Sequence, residues 1–179
     1  DAESPVNIYF WSADGRYILY AQDKGGNENF HIYAADPESL GGATARNLTP
    51  VDGVTAQIYA VPKQMPNHII VGLNERDPQF HDIYRIDLAT GERTLLLQND
   101  ENIGTWTTDL AGNVRLAYRQ TLEGGNEILA VGDDGLTPVY TCRIEETCMP
   151  IRFHRDGERV YLMSNRDRNL IRHIEHPKQ

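Results

Sequence analysis

Four serines, six histidines and two cysteines hold most of the nucleophilic and proton-transfer chemistry open to this 179-residue chain. Ser4, Ser12, Ser39 and Ser164 stand in "ESPVN", "FWSADG", "PESLG" and "LMSNR". A serine becomes an effective nucleophile when a base takes its proton. In one common arrangement a sharp strand-to-helix turn, written G-x-S-x-G, also exposes its hydroxyl beside backbone N–H groups. No such stretch occurs in the sequence. His31 and His81 recur in "NFHIYAAD" and "FHDIYRID", each just ahead of an Ile-Tyr pair. His81 and Asp82 are neighbours, but two members of a triad do nothing without the third. Both histidines are expected as hairpin residues facing solvent or an adjacent sheet.

Other polar clusters read the same way. "DKGGNEN", from Asp23, lacks the ligand spacing and the distal Glu of a calcium loop, so it is expected as a polar hairpin. "NERDPQ", around Asp77 and Pro78, occupies the equivalent place further on. Arg166 and Arg168 in "NRDRN" could fork a carboxylate, and pairing with surface acids is the expectation. Trp11 and Trp106 are expected to pack between sheets. Cys142 and Cys148 have five residues between them. Two ligands cannot close a zinc site. The pair is open to a small disulfide, which would imply an oxidising compartment, or to two free thiols. No catalytic, cofactor-binding or metal-ligating residue is assigned, and no cofactor is expected.

The elements that carry these residues repeat. "SADGRYILYAQDK", "KQMPNHIIVGLNERD", "DLAGNVRLAYRQ" and "HRDGERVYLMSNRD" each place a tight turn ahead of an apolar/polar strand. Gly15, Asn67, Gly112 and Gly157 then align at spacings of 52, 45 and 45 residues. A second strand follows each, in "NFHIYAAD", "FHDIYRID", "NEILAVGDD" and "NLIRHIEH". Further turns at Gly41-Gly42, Thr90-Gly91 and Asp134-Gly135 lead into short closing strands. "NIYFW", "AQIYAV", "GTWTT" and "PIRF" open the units. Strands rich in Ile, Val, Leu and Tyr at a period near two, with no sustained 3.6-residue period, predict an all-β chain. Four strands restarting about every 45 residues predict β-propeller blades. The expected fold is a partial β-propeller of about three and a half four-stranded antiparallel blades, at residues 7–53, 54–103, 104–149 and an incomplete 150–179 lacking its outer strands.

Composition bounds the partners. The net charge of −9 works against nucleic acid and anionic lipid. No apolar run approaches the roughly 18 residues of a membrane helix. Neither nucleic acid nor membrane is expected as a partner. The opening "DAESPVN" reads as a processed or cut end. An incomplete propeller exposes strand edges and inter-blade faces, so self-association is also expected as a possibility of the fold.

The first two units carry more than blade grammar. "YFWSADGRYILYAQDKGGNENFHIYAAD", with "RNLTP" after it, resembles the N-terminal propeller of the prolyl oligopeptidase family of serine peptidases, nearest to its acylaminoacyl-peptidase-like members. "VGLNERDPQFHDIYRIDLATGE" is similar to the following blade of that group. The resemblance is specific over residues 9–97 and reduces to blade grammar from Gly104 onward. It implies a propeller that caps a C-terminal α/β-hydrolase domain, admits short peptides and contributes contacts to them. The Ser-Asp-His triad would lie on that other domain, and no catalytic residue carries over to this chain. A TolB-like, non-enzymatic propeller that binds protein partners shares the same turn-and-strand grammar and is the alternative.

Overall fold

The computed structural model describes residues 4–39 and 45–167, and the backbone of 172–176. The described residues form strands and turns without a helix. Four antiparallel sheets follow one another along the chain, each built from consecutive strands in order. The first comprises β1 (Val6–Trp11), β2 (Ile18–Gln22), β3 (His31–Ala35) and β4 (Arg46–Asn47). The second comprises β5 (Ala56–Ala60), β6 (His68–Asp77), β7 (Phe80–Asp87) and β8 (Arg93–Leu97). The third comprises β9 (Thr105–Thr108), β10 (Val114–Gln120), β11 (Asn126–Gly132) and β12 (Gly135–Cys142). The fourth has three described strands, β13 (Cys148–Phe153), β14 (Val160–Ser164) and β15 (Arg172–His176). The third strand of the last sheet falls in "NLIRHIEH", where the repeat places it. Five residues suffice to pair Arg172–His176 fully against Val160–Ser164. The expected turn at Gly41-Gly42 lies outside the described residues.

The chain divides into two compact units, Asp1–Asn99 and Asp100–Gln179. In the first, Ile69, Val71 and Leu73 of β6 belong to a core shared with Leu19, Ile32, Ala34 and Leu48 of the first sheet and Ile86 and Leu88 of the second, while Ile70 between them is equally buried. Burial of each such aliphatic side chain is worth about 1.5–3 kcal/mol, which ties the two sheets of this unit face to face. In the second unit the corresponding core joins Leu116, Ile128, Phe153 and Leu162, with Tyr118, Tyr140 and Val160 packed against it.

The turns between first and second strands explain why the units repeat. Gly15, Gly112 and Gly157 have φ of 70°, 85° and 72°, a region that favours glycine. In each turn a side-chain oxygen collects the nearby donors. Asp109 Oδ1 accepts the amides of Ala111 (2.9 Å) and Asn113 (3.0 Å). Asp156 Oδ1 accepts those of Glu158 (2.9 Å) and Arg159 (3.0 Å). Ser12 Oγ accepts the Tyr17 amide at 3.0 Å and donates to Asp14 at 2.5 Å. The second sheet uses "PKQMPNH" instead, closed by the Met65 amide on the Pro62 carbonyl (3.2 Å) and the His68 amide on the Met65 carbonyl (3.0 Å).

Candidate functional site

One departure recurs in the ladders between first and second strands. An extra residue bulges from the first strand at Asn7 in β1, at Tyr59 in β5 and at Ile151 in β13, and from the second strand at Arg115 in β10. A bulge bends the strand and re-aims a side chain. In the first unit the bulges at Asn7 and Tyr59 both line a cleft of about 510 Å³ between β1 and β5. Ile8, Phe10, Phe30 and Ile58 supply its apolar wall, and Asn7, Thr55, Gln57 and Tyr59 its polar groups. None of its lining residues carries a charge.

Tyr59 is set by its surroundings. Its hydroxyl donates to Gln57 Oε1 at 3.1 Å. Burial pushes the phenol up to about 12, so the group stays a neutral donor across ordinary pH. Beside it lies Gly72 of β6. A Cβ at Gly72 would stand 2.5 Å from Tyr59 Cε2 and 2.8 Å from His81 Cβ, so only glycine lets the three residues share this place. His81 Nε2 is buried without a hydrogen-bond partner. Burial pushes its pKa down, against the opposing pull of the Thr55 backbone and the Asp82 carboxylate, which favours a neutral imidazole.

The remaining polar residues are tied to structure. Ser164 Oγ accepts the Arg166 amide (3.2 Å), Ser39 Oγ donates to the Asp36 carbonyl (3.0 Å), and Ser4 Oγ accepts the Gly26 amide (3.2 Å). No serine among the described residues is hydrogen-bonded to an imidazole. His31 Nδ1 meets Asn47 Nδ2 at 2.9 Å, and its ring stacks on Tyr33 with centroids 6.5 Å apart. The "DKGGNEN" loop satisfies itself: Asp23 Oδ2 accepts the Glu28 amide (2.9 Å) and Asn27 Oδ1 the Asn29 amide (3.1 Å). No group of three or more potential metal ligands occurs among the described residues.

Arg166 pairs with Glu146 at 3.1 and 3.0 Å and lies 4.6 Å from the Tyr140 ring centroid. Arg168 lies outside the described residues. Trp106 is buried, whereas Trp11 is 55% exposed and does not pack into the core. The two cysteines form a disulfide with Cα atoms 6.2 Å apart. It joins the end of β12 to the start of β13.

Sequence reasoning missed the network around Asp82. Arg76 donates Nε and NH2 to the two Asp82 oxygens at 3.0 and 2.9 Å, and NH2 also reaches the Asn99 carbonyl at 3.0 Å. The Asn99 amide returns to Asp82 Oδ1 at 2.7 Å. Burial alone would raise the Asp82 carboxyl, but the bonds from Arg76 and Asn99 outweigh it and its pKa falls below the usual carboxylate value. The third sheet repeats the device with Arg119, which bonds Glu127 at 3.1 Å and Glu101 at 2.9 Å. The available signal was an Arg and an acid flanking the hairpin between second and third strands in two units, "NERDPQFHD" and "YRQTLEGGNE".

No protein-family profile matches the chain. The sequence is 38% identical over 172 residues to dipeptidyl aminopeptidase BIII of Pseudoxanthomonas mexicana, covering 94% of this chain and 24% of that protein. This chain is a propeller segment of the prolyl oligopeptidase family. It spans about a quarter of the length of that relative, and no catalytic domain is covered. Among solved structures, prolyl oligopeptidase B from Galerina marginata matches with a TM-score of 0.58 at 15% identity, over 90% of this chain and 23% of that one. A putative TolB from Agrobacterium tumefaciens matches with a TM-score of 0.64 at 14% identity, over 97% of this chain and 58% of that one. At those identities the two structures speak for the propeller fold alone.

Proposed function

We propose that the chain serves as non-catalytic propeller in a serine peptidase, restricting admission to short peptides and helping to bind them for a hydrolase domain. The observation that carries the reading is the 38% identity to a dipeptidyl aminopeptidase over nearly the whole chain. The residues agree with a non-catalytic part: each described serine is spent on a turn or a backbone bond, and the Arg76–Asp82 pair is spent on joining β6 to β7. In such a protein, hydrolysis belongs to another domain, and this segment acts through access and contact. The disulfide at Cys142–Cys148 fits an oxidising compartment.

The test uses the full-length polypeptide. Short peptides and an unfolded protein containing the same cleavable sequence are compared as substrates. The reading expects rapid cleavage of the short peptides and little of the long chain. Equal rates on both would remove the gating role. A second reading, a protein-binding propeller without a hydrolase, is favoured by the TolB match over 97% of this chain. It expects no hydrolytic activity in the full-length polypeptide.

A further inference from the structure

The inner strands β1 and β5 are each paired on one side only, to β2 and β6. Their other edges face no strand among the described residues. The Ser12 amide bonds the Tyr17 carbonyl. The two-residue alternation of an antiparallel ladder then turns the backbone groups of Tyr9 and Trp11 outward, to the free edge. β1 is also the most exposed strand of its sheet, with Ile8 53%, Tyr9 76% and Trp11 55% accessible. On β5 the Ala56 amide is taken by the Phe30 carbonyl, which leaves the stretch from Gln57 onward open.

We infer that this edge and the neighbouring cleft bind an extended, uncharged peptide segment by strand addition along β1. Backbone groups of the peptide would complete the ladder at Tyr9 and Trp11. Alternate peptide side chains would enter the cleft against Ile8, Phe10 and Ile58, and the others would lie on the Tyr9–Trp11 side. Charge decides the occupant. About a quarter of the chain's residues are charged, yet none lines the cleft. A neutral trough takes the interior of a peptide and rejects its charged ends. The bulges at Asn7 and Tyr59 place an amide and a phenol at this site, where they can hydrogen-bond a peptide backbone. This inference rests on the proposed handling of peptides and names the place and manner of contact.

The test is a titration of the 179-residue chain with acetyl-(Thr-Val)3-amide, read by backbone amide chemical shifts. A second peptide carries N-methyl groups on alternate amides. The expected result is saturable shifts at residues 7–11 and 57–60 below about 1 mM, lost by tenfold or more on N-methylation. Ile8→Glu, at an exposed position, is expected to weaken binding tenfold or more while the remaining spectrum is unchanged. Equal binding of the N-methylated peptide, shifts centred elsewhere, or no shift at about 1 mM would overturn the inference. So would a concentration-dependent dimer showing the same shifts without peptide. The substrate-length test on the full-length polypeptide is independent of this readout, so either can fail alone.

Discussion

The two ends of each sheet are built on different rules. At the end holding the turn between first and second strands, the turn's own side chains bond within about six residues, with longer reaches confined to the first unit, where Arg46 bonds the Leu88 and Ala89 carbonyls and the Leu88 amide bonds the Asn67 carbonyl. Asp109 gathers Ala111, Asn113 and Arg115, and Asp156 gathers Glu158 and Arg159. At the end holding the hairpin between second and third strands, local bonds such as that of the Glu28 amide to Asp23 are joined in every unit from the second onward by partners far apart in sequence. Arg119 reaches Glu101, Arg166 reaches Glu146, and Arg76 reaches Asn99. The amides of Thr55 and Thr147 each donate to an asparagine side chain at 2.6 Å, Asn74 within β6 and Asn165 just after β14. The local end shapes each hairpin. The long-range end fastens the strand that opens a sheet to the hairpin of that sheet, and so fixes how consecutive segments follow one another.

The comparison can be broken by mutation. The largest effect is expected from the disulfide, which sits at the long-range end and closes the link between β12 and β13. Replacing Cys142 and Cys148 by alanine should lower stability by about 2 kcal/mol, the entropy of a short closed loop, read as a lower urea midpoint. Next comes Asp82→Ala. It removes a carboxylate whose side chain is 5% exposed and strands Arg76 and the Asn99 amide. The expected loss is about 1.5 kcal/mol, held down because Arg76 is 41% exposed and can turn to water. Asp109→Ala, at the local end, should cost about 1 kcal/mol, because the donors it leaves lie in a turn that water reaches. Equal losses at Asp82 and Asp109 would erase the distinction drawn between the two ends.

The smallest expected effect is in the pH profile. Asp82 and Asp109 both have pKa values held below the usual carboxylate range: burial pushes up, and the bonds from Arg76 and from Asn113 respectively outweigh it. Their contribution is complete above the unfolded value, about 4, and is lost as pH falls through the depressed folded values. His81 acts in the same direction at higher pH. Its folded pKa lies below the ordinary value, so its contribution is complete above about 6.5 and declines as pH falls toward the folded value. Urea midpoints measured across pH should therefore fall toward acid, with a shallower acid limb in Asp82→Ala.

How far the sequence reveals the structure follows the same division. Turn chemistry is local, so Gly15, Gly112 and Gly157 with their neighbouring acids announce the hairpins and, through their spacing, the repeat. The continuous apolar run in "HIIVGL" marks β6 as a strand buried on both faces, with Ile69, Ile70, Val71 and Leu73 fully buried. The bulges at Asn7, Tyr59 and Ile151 carry no local mark, because an extra residue in one strand is defined only against its partner. Gly72 inside an apolar strand was a readable hint of close approach, yet only the fold shows that Tyr59 and His81 are what approach. The cysteine pair illustrates the limit: spacing admits both a bridge and free thiols, and the distance between β12 and β13 decides. The Asp82 network needed Asn99 brought beside Arg76, which no local pattern encodes.

The role proposed for this chain is that of a non-catalytic propeller in a serine peptidase. The most direct measurement is fluorophosphonate labelling of the native source, followed by peptide mapping of the labelled proteins. Peptides of this sequence are expected from a labelled polypeptide of which this chain is about a quarter, with the label on a serine outside it. No label is expected on the isolated 179-residue chain under this proposal. Recovery of this sequence only from unlabelled polypeptides, or label on Ser4, Ser12, Ser39 or Ser164, would contradict it.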